Sequence, residues 1–158
     1  MSMAYDDIII LLNEKKQLFL QYEVETDNII LNCNEDNVDI IALAMEKRTR
    51  IAEKIDSITE KINSISIKNN IDLKLFADTL DCSSLETDSE RKAHSIVEET
   101  FDIIRRIQQK NTDIMNYFKN TMDNSKVQIE KNQYAPKISK YFENIKINTN
   151  YNSTFGKG

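Results

Sequence analysis

Glycine and proline are almost missing from this chain. Its 158 residues hold two glycines and one proline, all at or after Pro136. A sheet protein with many tight turns needs more of both, so a few long helices joined by short polar links are expected. With no glycine before Gly156 there is also no glycine-rich loop to cradle a phosphate. Histidine is limited to His94, which has no nucleophile beside it in sequence. Cys33 and Cys82 lie far apart without CxxC spacing or clustered histidines, which excludes a zinc site of the usual kind. No disulfide is expected between them in a reducing compartment. Glu98 and Glu99 are helix neighbours pointing to different faces, not an acid–base pair. The ExxH arrangement of di-metal bundle enzymes is missing too. The expectation is a protein that is not an enzyme and uses no cofactor or metal.

Charge is divided unevenly. The formal net charge is -5, but residues 131–158 carry five lysines against Glu143, a local net of +4 that leaves -9 on residues 1–130. An acidic body argues against a nucleic-acid partner, because neutralising phosphates needs a basic patch. The run Ile8 to Leu12 is short and meets Glu14, Lys15 and Lys16, so neither a signal peptide nor membrane insertion is expected. A cytoplasmic location follows as the expectation.

Three long helical segments carry the apolar periodicity. The first, from about Ala4 to Leu31, has one row at Ile8, Leu11, Leu18, Tyr22 and Ile29 and a second at Ile9, Leu12, Phe19 and Ile30. Two adjacent rows make the wide stripe of a bundle helix. Asp36 is the expected cap of the second helix, which runs to about Ile67. Its row of Ile41, Ala44, Arg48, Ile51, Ile55, Ile58, Ile62 and Ile65 is the cleanest heptad in the chain. A short connecting helix over 71–80 would pack Leu73, Phe76 and Leu80 across one end. Two capping boxes follow, Ser83 with Glu86 and Thr87 with Glu90; the second is the favoured start of the third helix. That helix could continue to about Lys131, or ~66 Å, and so extend beyond the hairpin that covers it.

The fold class expected is all-α: an antiparallel three-helix bundle with one long protruding third helix, a short connecting helix and a flexible C-terminal tail. Residues 1–131 form the bundle and 132–158 the aromatic, basic tail. On the distal third helix a row passes through Asn111, Met115, Phe118 and Met122. Methionine adapts to irregular partners, so this row is a candidate client surface. It is equally the pattern of an ordinary core in which polar residues set register. In the tail, Ile138, Tyr141, Phe142 and Ile145 are spaced as one face of a two-turn helix, too short to stand alone in water. They would dock on the third helix until a client displaces them, leaving Tyr151 and Phe155 available to other machinery.

Three stretches carry a family likeness. EKRTRIAEKID (Glu46 to Asp56) follows a long helix and a short polar loop; QQKNTDIMNYFKNTMDNSKVQI lies on the third helix; NYNSTFGKG closes the chain with an aromatic beside a glycine. Together these resemble the flagellar export chaperones of the FlgN type, small acidic helical proteins. The resemblance implies a cytoplasmic flagellar type III secretion chaperone. It would bind hook–filament junction proteins by their C-terminal segments and deliver them to the flagellar export gate. It implies client contact at Asn111, Met115, Phe118 and Met122 and gate contact by a tail aromatic, Tyr151 or Phe155. FlgN-type and FliT-type clients are not distinguished. The alternative is a homo-oligomeric coiled-coil structural or adaptor protein, and a weak homodimer is compatible with either.

Overall fold

The computed structural model describes residues 2–33, 35, 37–76 and 85–124. They form three long helices: α1 (Ser2–Cys33), α2 (Val38–Lys68) and α3 (Asp88–Asn124). A 3-10 turn at Leu73–Phe76 follows α2, and no strand occurs among the described residues. The expected all-α bundle is what forms.

Three apolar layers fix the direction of each helix. In the first, Ile8, Ile9 and Leu12 of α1 meet Ile58 and Ile62 of α2 and Ala93, Ile96 and Val97 of α3. The second joins Phe19 and Tyr22 to Ala52 and Ile55 and to Ile103, Ile104 and Ile107. The third joins Ile29 and Cys33 to Ile41, Ala44 and Met45 and to Ile114 and Phe118. Numbering rises along α1 and α3 and falls along α2, so the bundle runs up, down, up. Each fully buried isoleucine contributes roughly 1.5–3 kcal/mol of transfer free energy. Three buried threonines, Thr26, Thr59 and Thr100, donate their hydroxyls to the carbonyls of Tyr22, Ile55 and Ile96 four residues earlier. That bond satisfies a polar group that the apolar layers could not.

The ends of the helices show local chemistry replacing glycine. After α2, Asn70 takes φ 55, Asn70 N–H donates to the Ile67 carbonyl and Ile71 N–H to the Ser66 carbonyl. These are the two bonds of a Schellman motif, with asparagine in the left-handed position usually held by glycine. Thr87 caps α3 as expected, its Oγ1 accepting from Glu90 N–H at 3.1 Å. The reciprocal arm differs, because Glu90 accepts from the Glu86 amide and not from that of Thr87. At the other hairpin end the cap of α2 is Asn37, which uses no side-chain bond. Asp36, the expected cap, lies outside the described residues.

Two lengths differ from expectation. The connecting helix over 71–80 is a single 3-10 turn as far as it is described; Phe76 is fully buried in the first layer, and Leu80 lies outside the described residues. The third helix is described to Asn124. Phe118 reaches the layer that closes the α1–α2 turn, so only its last turns pass beyond the hairpin. Residues 132–158, including Ile138, Tyr141, Phe142, Ile145, Tyr151 and Phe155, lie outside the described residues.

Candidate functional site

The row through Asn111, Met115, Phe118 and Met122 does not form one open surface. Asn111 is 6% exposed and Phe118 is buried in the third layer, whereas Met115 is 41% exposed. Met122 belongs to α3, with its side chain outside the description. The reason is helical geometry: α3 rotates its 111 and 118 positions inward and turns 115 away between them.

Asn111 has a structural partner. Arg48, 2% exposed on α2, donates through Nη2 to Tyr22 Oη at 2.8 Å and to Asn111 Oδ1 at 2.9 Å. Its guanidinium carbon also lies 4.4 Å from the centre of the Tyr22 ring. All three helices therefore contribute one residue to a polar bridge between the second and third layers. Arg48 Nη1 is buried without a hydrogen-bond partner among the described residues. A buried guanidinium with no carboxylate partner among the described residues is costly unless its neighbours hold it.

Charge closes the seam between α1 and α3. Glu23 accepts two bonds from Arg106, both at 2.9 Å, and a third from Lys110 at 3.2 Å. Lys110 also reaches Asp27 at 2.8 Å, and Lys16 pairs with Glu99 at 2.8 Å. The Arg106 hydrogen bonds, helped by Lys110, hold the Glu23 carboxyl below its ordinary value against the opposing effect of burial. Toward α2, Lys15 is buried and Asp56 half-buried. Burial pushes the Lys15 amine down to about 8, with the Asp56 carboxylate opposing the shift. Burial likewise raises the Asp56 carboxyl. His94 is buried at the start of α3, its Nε2 3.0 Å from Glu98 Oε1. No group of three or more His, Cys, Asp or Glu suited to a metal occurs among the described residues.

Further exposed apolar side chains lie on α2, at Ile40, Leu43 and Ile67, and in a regular row on the outer side of α1. Met3, Ile10, Val24 and Leu31 are 78%, 57%, 57% and 62% exposed. With Gln17 they stand at seven-residue intervals, one row along the helix. Along this row a groove of about 710 Å³ opens between α1 and α2, with Ile10, Leu18 and Ile58 among its lining residues. A second hollow of about 320 Å³ shares Gln21 and Lys54 with it, and only α1 and α2 residues line either. This row was legible as a repeat in the sequence. The two inward rows of α1 drew attention away from it, since a third apolar row on one helix has no place in a core already filled.

No helix among the described residues is long and apolar enough to cross a membrane. No family model, curated protein or solved structure matches the chain.

Proposed function

We propose that this chain is a non-enzymatic chaperone that receives a helical segment of a client. The observation that carries this reading is the apolar row of α1, which the bundle leaves uncovered although three full layers are already packed. Exposed apolar surface arranged as a row on a folded helix suits an incoming amphipathic helix.

Within that class the favoured identity is a flagellar type III export chaperone of the FlgN type, acting in the cytoplasm. Its clients are hook–filament junction proteins held by their C-terminal segments and passed to the export gate. Support for this finer reading is the likeness of EKRTRIAEKID, QQKNTDIMNYFKNTMDNSKVQI and NYNSTFGKG to that family, together with the long-helix architecture. Met115 is exposed on α3 and available to a client, whereas the side chain of Met122 lies outside the described residues. Asn111 and Phe118 would act through the core, by holding the helix that presents Met115.

The test is capture from a lysate of flagellated cells with the full chain as bait, followed by mass spectrometry. Junction proteins should co-purify. Recovery of the bait alone, with a dimer in sedimentation, would favour the homo-oligomeric coiled coil, which the seven-residue spacing on α1 also suits.

A further inference from the structure

The groove between α1 and α2 carries a second seven-residue pattern. Along α2, Lys47, Lys54 and Lys61 follow one another at heptad intervals, all exposed and none in an ion pair among the described residues. Across the two hollows, Lys47, Arg50, Lys54 and Lys61 stand against Glu14 and Glu25. Of these cations only Arg50 has a carboxylate within reach, that of Glu46 at 3.2 Å on its own helix. A chain of net charge -5 thus gathers unmatched positive charge on one rim of its open groove. On the α1 side the hollows are lined by Ile10 and Val24 of the exposed apolar row, which continues along the helix to Met3 and Leu31.

We infer that this groove is the docking site for an amphipathic helix of a partner protein, apolar along the row that meets α1 and acidic along the flank that meets α2. The inference rests on the helix-receiving reading above and names its site and the chemistry of the partner. Apolar and lysine rows that repeat every seven residues on parallel tracks match a helix laid lengthwise, whose own seam repeats at the same interval. The row from Met3 to Leu31 offers roughly 42 Å of track.

Charge decides between occupants. Residues 131–158 of this chain carry a net +4 and would set lysines against lysines. A second copy laid groove to groove brings Lys47, Arg50, Lys54 and Lys61 against either the same four cations or an α1 side on which only Glu14 and Glu25 line the hollows, so neither pairing neutralises them. An anionic bilayer would satisfy the charge, but a concave groove between two helices does not present its apolar floor to a flat surface. An acidic helix satisfies both rims at once.

The experiment uses the full chain and two synthetic helical peptides of about four heptads. Both have leucine along the seam; one has glutamate on the flank and the other lysine. Fluorescence anisotropy should show the glutamate peptide binding and the lysine peptide at least about tenfold weaker. Lys54→Glu with Lys61→Glu should reverse that preference. Ile10→Glu with Val24→Glu should abolish binding of both while leaving the circular dichroism spectrum and the urea midpoint in place. Equal binding of the two peptides, no binding, or failure of the reversal overturns the inference. So does binding confined to phosphatidylserine vesicles, or a wild-type dimer that the Ile10→Glu, Val24→Glu chain loses. Capture of junction proteins by the Lys54→Glu, Lys61→Glu chain as well as by wild type removes the groove but leaves the flagellar reading standing. Peptide reversal without junction-protein capture does the opposite.

Discussion

The two seams of α1 are built differently. On the α3 side, Lys16, Glu23 and Asp27 each meet an opposite charge from the neighbouring helix. On the α2 side Lys47, Lys54 and Lys61 form no ion pair among the described residues, although Glu14 and Glu25 line the same hollows, and large apolar side chains stay in solvent beside them. Both seams sit over the same three layers, so the difference does not come from a poor core. One seam is closed by short-range charge; the other is left with apolar surface and positive charge of the kind an incoming helix would cover. Exposed apolar side chains that repeat in register with the helix are more informative than the total amount of exposure.

The contrast is broken most severely through the core that both seams share. Phe118→Glu places a carboxylate in the third layer and should cost at least about 4 kcal/mol. Met115→Glu, three residues earlier on the same helix but turned outward, should cost less than about 0.5 kcal/mol. Urea denaturation of the two variants separates them. Similar effects from both would mean that α3 is rotated from the described register.

Next comes the buried charge beneath the open seam. The Lys15 amine titrates at about 8 in the folded chain against an ordinary 10.5. Between these values the unfolded chain holds the proton that the folded chain has released. Stability therefore rises with pH across that window, by up to about 3 kcal/mol at its top. Below pH 8 both states are protonated and this dependence vanishes. Lys15→Met should flatten the rise when urea midpoints are compared from pH 8 to 10; an unchanged slope would place the ammonium in contact with water.

The Arg48 bridge tests whether polar residues between layers set register. Arg48→Met alone leaves Asn111 and the Tyr22 hydroxyl buried without their donor and should cost about 1–3 kcal/mol. Arg48→Met with Asn111→Leu should recover most of that loss, because two matched apolar groups replace a costly buried cation. A double-mutant cycle in denaturant measures the coupling; additive effects would show that the two residues do not act together.

At the closed seam, Glu23→Gln removes the charge that Arg106 and Lys110 share. Arg106 and Lys110 remain partly exposed, so screening limits the loss to about 1 kcal/mol. The wild-type contribution is complete above the ordinary carboxyl value of 4.5 and is lost as pH falls through the lower folded value. The variant should lack that part of the acid dependence in thermal melts below pH 4.5.

Much of the fold was legible because it follows from periodicity. The row from Ile41 to Ile65 faces inward along α2, and Thr87 starts α3 as its capping box implies. Helix ends were less legible. Asn37 and Asn70 act through backbone conformation, which an asparagine-rich chain does not advertise by composition. The α3 row was ambiguous because a single helix does not reveal which of its faces a second and third helix will cover. Asn111 has the chemistry of a binding residue, yet Arg48, sixty-three positions earlier, takes it into the core. The α1 row was visible but had no meaning until the inward rows were seen to fill the layers without it.

The smallest expected effect is the one that separates the seams most cleanly. Val24 and Leu31 are exposed on the open side, and neither belongs to a packed layer. Val24→Gln with Leu31→Gln should change stability by no more than about 0.5 kcal/mol, since little apolar area returns to water on unfolding. Glutamine also keeps the helix, being at least as good a helix former as valine. The readable change is in surface chemistry: binding of a hydrophobic dye to the folded chain should fall while the urea midpoint stays in place. A loss of about 2 kcal/mol or more, or a midpoint that depends on protein concentration, would show these side chains already covered. The open seam would then be an occupied interface, and the contrast between the two sides of α1 would be one of partner rather than of exposure.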